Sequence, residues 1–133
     1  MEINWLAVLV ASVVGTFVGS LWFGPKTFFP IWWKFMGKSP DDQPGGSNMG
    51  VVFGLTFVAI AVQATVVEVV LSAIGGSSWW VGLATGALLG LIGSAASLSH
   101  KLFGGQSLRA WVLEAGADIV GLAAMGLVLG LMA

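Results

Sequence analysis

Four long apolar runs constrain this chain more than any other feature: Ile3 to Phe23, Met49 to Ile74, Trp79 to Leu98 and Leu108 to Met132. At about 1.5 Å of rise per residue, a helix over any of them covers roughly 30 Å, the thickness of the hydrocarbon layer of a bilayer. Helices are expected because a lone strand in lipid leaves its backbone N–H and C=O groups without partners, and none of the runs shows the alternation of a barrel strand. The expected fold is therefore an all-α membrane protein, a single domain over residues 1–133 with four transmembrane helices and a short interfacial aromatic segment after the first.

Composition agrees. Hydrophobic residues make up 57 % of the chain and charged residues 8 %, far below the roughly 25 % of an average soluble domain. The formal net charge of −1 shows no large imbalance that would suggest nucleic acid or an acidic ligand. There is no cysteine, which removes disulfides, thiolate metal sites and cysteine nucleophiles. The first run is longer than a signal-peptide core, and its flank carries Glu2 with no Lys or Arg, so it is expected to be retained as the first helix.

The basic residues set the expected orientation. Lys26, Lys34, Lys38, Lys101 and Arg109 fall in the first and third loops, while both termini and the GGSS loop have none. By the positive-inside bias the two basic loops lie in the cytoplasm and both termini face outward. The first loop, 24–48, divides in two. Its segment 28–37 suits the interface: Pro30 can open a short helix, with Trp32, Trp33, Phe35 and Met36 toward acyl chains and Lys34 and Lys38 at the headgroups. This is expected to be an aromatic anchor in contact with membrane lipids, with a specific lipid or partner site as the alternative. SPDDQPGG reads as a flexible link with solvated Asp41 and Asp42.

Association of helices in lipid relies on close packing through small residues. Ala11, Gly15 and Gly19 recur at four-residue spacing in the first helix, Gly50 and Gly54 in the second, Gly82, Gly86 and Gly90 in the third, Gly126 and Gly130 in the fourth. More stripes than one small bundle needs suggest a homo-oligomer, most simply a twofold dimer.

Three carboxyls lie inside the spans, where an ionisable group costs about 2.5–3.5 kcal/mol at mid-helix on insertion scales. Glu114 sits in the inner third of the fourth helix, Asp118 one turn deeper, and Glu68 in the outer third of the second on a face with Ala61, Thr65 and Ser72. His100 closes the third helix. The depth order His100, Glu114, Asp118, Glu68 is that of a pathway able to pass protons or hold a cation, if the faces meet. The plainer alternative is structural: hydrogen bonds to Ser, Thr, Asn4 or Gln63 across helices, and an ion pair of Glu114 with Lys101 or Arg109. Asp118 lies too deep for an easy ion pair of that kind, whereas His100 reads most simply as an interfacial histidine. A metal site of His100, Glu114 and Asp118 has no HExxH-like pattern behind it, no cofactor is expected, and neither a phosphate-cradling loop nor a nucleophile elbow is present.

INWLAVLV (3 to 10), GTFVGSLWFGP (15 to 25), IWWKFMG (31 to 37) and LFGGQSLRAWVLEAGADIVGLAAMG (102 to 126) resemble the small bacterial membrane proteins grouped as domain of unknown function 1761. The resemblance covers most of the chain, the second and third helices adding little beyond hydropathy. It implies a four-helix membrane protein and carries no established activity. Asn4, Trp5, Trp22, Pro25 and Gly116 correspond to recurrent positions, with Phe23 where a tyrosine is usual; Glu114 and Asp118 are not assigned by it. Two functions follow as expectations: an oligomeric transporter or channel using Asp118, Glu114 and Glu68, or a non-catalytic accessory subunit of a larger membrane complex. An enzyme is not expected.

Overall fold

The computed structural model describes residues 2–42 and 48–133, so residues 43–46 of the polar link lie outside the described residues. Five helices follow in order: α1 Trp5–Trp22, α2 Phe29–Phe35, α3 Met49–Ile74, α4 Trp79–Phe103 and α5 Leu108–Leu131. Among the described residues there is no strand. All but the seven-residue α2 are long and apolar enough to cross a membrane.

The ends of these helices are written in local chemistry. Asn4, Asn48 and Ser107 each accept a hydrogen bond from the backbone N–H three residues on, at 3.1 Å, satisfying one of the donors that a helix start leaves open. Gly75 ends α3 in the left-handed conformation (φ 68°) that costs a glycine nothing. The third span extends beyond its expected end at Leu98, continuing as helix to Phe103. Hydropathy marks where the lipid stops, whereas the helix stops only at Gly104 and at Gly105, with its φ of 84°. His100 and Lys101 thereby occupy the last turn of α4, where the Lys101 charge meets the negative end of the helix dipole.

α5 is the centre of the bundle and touches each of the other four helices. Its closest neighbour is α4, and the glycines explain why. A Cβ on Gly82 would collide with the Gly126 carbonyl, one on Gly126 with that of Gly82, and one on Gly130 with that of Ser78. At Gly90 it would lie 2.8 Å from the Ile119 Cα. Two backbones are in contact along three turns, the close approach by which small residues hold helices together in lipid. Gly15 serves α1 similarly, receiving the Met125 side chain. Gly19 and Gly54, by contrast, face open space, and Gly50 meets only the nearby Asn48 side chain, so the stripes of α1 and α3 do not continue as contacts within the chain.

The core collects Ala7, Val8 and Ala11 of α1, Ala64, Val67 and Leu71 of α3, and Leu122, Met125 and Leu129 of α5. The inward face of α3 is thus centred on Ala64, Val67 and Leu71, with Ala61, Thr65 and Ser72 half-buried at its edge. Outward lie Leu6, Phe17, Phe53, Leu55, Leu88 and Ile92, each more than half exposed, the surface that a lipid solvent requires. The Asn4 amide donates to the Met132 carbonyl at 3.2 Å, bringing both ends of the chain together at the same end of the bundle as the 75–78 turn. The opposite end carries every Lys and Arg.

Candidate functional site: the carboxyls of the membrane spans

Glu68 is buried near the chain-terminal end of α3, and its Oε2 accepts the backbone N–H of Asn4 at 2.8 Å. Asn4 is the N-cap of α1, so a carboxyl oxygen from another helix sits at the positive end of the α1 dipole and takes a donor that α1 cannot use itself. Asn4 contributes three bonds in all: its side-chain oxygen accepts from Ala7, its amide reaches Met132, and its backbone N–H binds Glu68. Helices α1, α3 and α5 are tied at one point.

Glu114 is engaged elsewhere. Its Oε1 meets Lys101 Nζ at 2.7 Å, joining the last turn of α4 to the second turn of α5. Its Oε2 is buried without a hydrogen-bond partner among the described residues. Of the two cations that the sequence offered to Glu114, Lys101 makes the pair; Arg109 lies over the Phe35 ring, 5.8 Å from its centroid. His100, one residue before that lysine, is exposed.

Asp118, one turn beyond Glu114 on α5, is bonded neither to it nor to Glu68. It is exposed on the surface of the single chain, in a groove of about 380 Å³ that α3, α4 and α5 form together. Gln63, Val67, Leu89, Gly93 and Leu122 share that lining. Neither Asp118 nor Gln63 forms a side-chain hydrogen bond among the described residues, although Glu68, Glu114 and Asn4 all do. The structure therefore gives the carboxyls three separate surroundings: a helix cap, an ion pair and a lateral groove. Among the described residues no three His, Asp or Glu side chains converge in a way that could hold a metal ion.

The aromatic segment forms the short helix α2, with Pro30 in its first turn as expected, but one of its tryptophans turns the other way. Trp33 is 8 % exposed, and its indole N–H donates to the Ser39 carbonyl at 2.8 Å. It closes the loop on itself, with Lys38 Nζ 6.0 Å from its ring centroid, and does not reach outward. In a seven-residue helix the two neighbouring tryptophans cannot share a face, and Trp33 takes the side with a carbonyl to bond. Lys34 remains exposed and Trp32 half-buried. A further bond, from Ser107 to the Phe35 carbonyl at 2.9 Å, fastens α2 to the start of α5.

Trp22 makes a long-range contact of another kind. Its indole donates to the Leu113 carbonyl at 3.0 Å, and its ring covers Gly116, where a Cβ would lie 2.7 Å from Cζ2. The side chain of one residue needs the missing side chain of the other, so positions 22 and 116 form one contact between α1 and α5. Over residues 6–130 the sequence matches the family described as Protein of unknown function (DUF1761). The chain belongs to the DUF1761 family. No curated protein and no solved structure matches it. For this DUF1761 chain, membership assigns no role to any side chain, and the four spans rest on the helices themselves.

Two residues of the site carried less weight in the sequence than they do in three dimensions. Asn4 stood out only as a polar partner for a carboxyl, and its backbone N–H, invisible in any residue pattern, is what Glu68 binds. Gln63 had a signal: it is the one amide side chain in the apolar run of α3. Its meeting with Asp118 had none, because it depends on how α3 lies against α5.

Proposed function

We propose that this protein is a non-catalytic, cofactor-free assembly subunit of a bacterial plasma membrane, with the lysine-bearing end in the cytoplasm and both termini outside. The observation that carries this reading is the dispersal of the carboxyls. An ion pathway needs its titratable groups along one hydrated cavity, whereas Glu68 is held by the Asn4 backbone, Glu114 by Lys101, and Asp118 lies in a lateral groove. Two of the three are thereby occupied in joining helices, the use of polar groups that membrane bundles favour. The third, in a groove open at the side of the bundle, supports a role in joining this bundle to another. The sidedness rests on the five basic residues, all at one end.

Reconstitution tests it. Liposomes containing the purified protein, under an imposed proton or monovalent-cation gradient, are expected to leak no faster than protein-free liposomes, for both the native chain and Asp118→Asn. Flux through the native chain that disappears in a folded Asp118→Asn would overturn the assembly reading in favour of transport.

A further inference from the structure

We infer that the groove beside Asp118 is the seat of a second copy of this chain, the two related by a twofold axis along the membrane normal, with Gln63 of each copy hydrogen-bonded to Asp118 of the other. This rests on the assembly reading above and names its partner. Asp118 lies ten residues beyond Leu108, roughly 15 Å along the α5 axis and so near the middle of the hydrocarbon. Lipid there offers no donor or acceptor, and an ionisable group facing it carries the full insertion cost. Whatever covers the groove must therefore lie within the membrane, be apolar around its rim, and bring one polar group for Asp118 and another for Gln63.

A second copy meets these demands with the same two residues. Gln63 carries two N–H donors and an oxygen, and a carboxyl in either protonation state keeps an oxygen to receive a donor. Both residues line one groove, so a twofold axis along the normal can bring Gln63 of each copy within reach of Asp118 of the other. Each interface would contain the pair twice. Close approach is also provided for: Gly93 lies in the groove with open space where a Cβ would be, whereas Gly90, one turn away, is already spent on α5. Val62, Val66 and Ile92 form the apolar flank.

The test exploits the reciprocity. Native chains labelled for energy transfer in liposomes are expected to dimerise, as is Asp118→Asn, which keeps a hydrogen-bonding side chain. Asp118→Leu and Gln63→Leu are each expected to lose about tenfold or more in association, two interhelical hydrogen bonds being removed at once. Mixed together, these two variants should prefer each other over themselves. The mixed dimer retains one Gln63–Asp118 pair, and each homodimer has none. A monomeric native chain, undiminished association of the leucine variants, or no preference in the mixture would each overturn the inference. Because the chain has no cysteine, single-cysteine variants give an independent readout: Ile92→Cys at the groove is expected to cross-link between copies and Phe17→Cys on α1 is not. Flux in the same liposomes would count against the assembly reading alone, and monomers without flux against the dimer alone.

Discussion

The carboxylate of Glu68 caps a helix that is not its own. It lies in α3, yet it accepts the backbone N–H of Asn4, 64 residues earlier, at the start of α1. Within one helix a Glu at the third position often bends back to the N-cap N–H; here tertiary structure supplies the same bond from a neighbour.

Truncation of Glu68 should consequently act on stability. Glu68→Ala leaves a donor at the end of α1 unpaired and is expected to cost roughly 1–3 kcal/mol, while Glu68→Gln, which keeps an acceptor, costs less than half as much. Unfolding of the purified variants in detergent by a graded denaturant checks this. A Glu68→Ala chain as stable as the native one would remove the cap from the account.

Glycines should divide sharply by position. Gly82→Ala and Gly126→Ala each push a methyl into a facing backbone carbonyl and are expected to cost about 3 kcal/mol or more, separating α4 from α5. Gly54→Ala, in open space on α3, should be neutral or stabilising by up to about 1 kcal/mol. The same unfolding measurement on the three variants decides it.

For the Lys101–Glu114 pair, a double-mutant cycle with Lys101→Met and Glu114→Gln is expected to give a coupling of about 0.5–1 kcal/mol. Lys101 is one-third exposed, so the pair should weaken as salt rises. A coupling of zero at low salt would show that the contact contributes nothing to stability.

Trp22 and Gly116 should be non-additive. Gly116→Ala alone meets the indole ring and is expected to destabilise by about 1–3 kcal/mol. Trp22→Phe alone loses the bond to Leu113 and costs about 1 kcal/mol. In the double variant the smaller ring leaves room for the methyl, so its cost should fall below the sum of the two. Strict additivity would indicate that the two residues do not touch.

The spans could be read from the chain because crossing a membrane is a local demand: any twenty-residue stretch is apolar enough for lipid or it is not. The same locality placed the run limits at Met49, Ile74 and Leu108, where α3 begins and ends and α5 begins. It failed at Phe103, where the helix outlasts the apolar run, and at Trp33, whose inward turn depends on a carbonyl six residues away.

The candidate site was legible as a set of residues and not as an arrangement. Glu68, Glu114 and Asp118 announced themselves as ionisable groups in apolar surroundings, and the ion pair of Glu114 with a neighbouring cation was among the readings open to it. By itself, then, the sequence determined an all-helical, four-span member of its family, with three carboxyls that need partners. Tertiary structure alone decided that Glu68 is held by a backbone N–H and Glu114 by Lys101, while Asp118 is left in a groove with Gln63. The physical reason is range. Hydropathy is summed over neighbours along one helix, but a hydrogen bond is formed between helices whose relative rotation and height are set by packing, here by glycines that bring two backbones into contact.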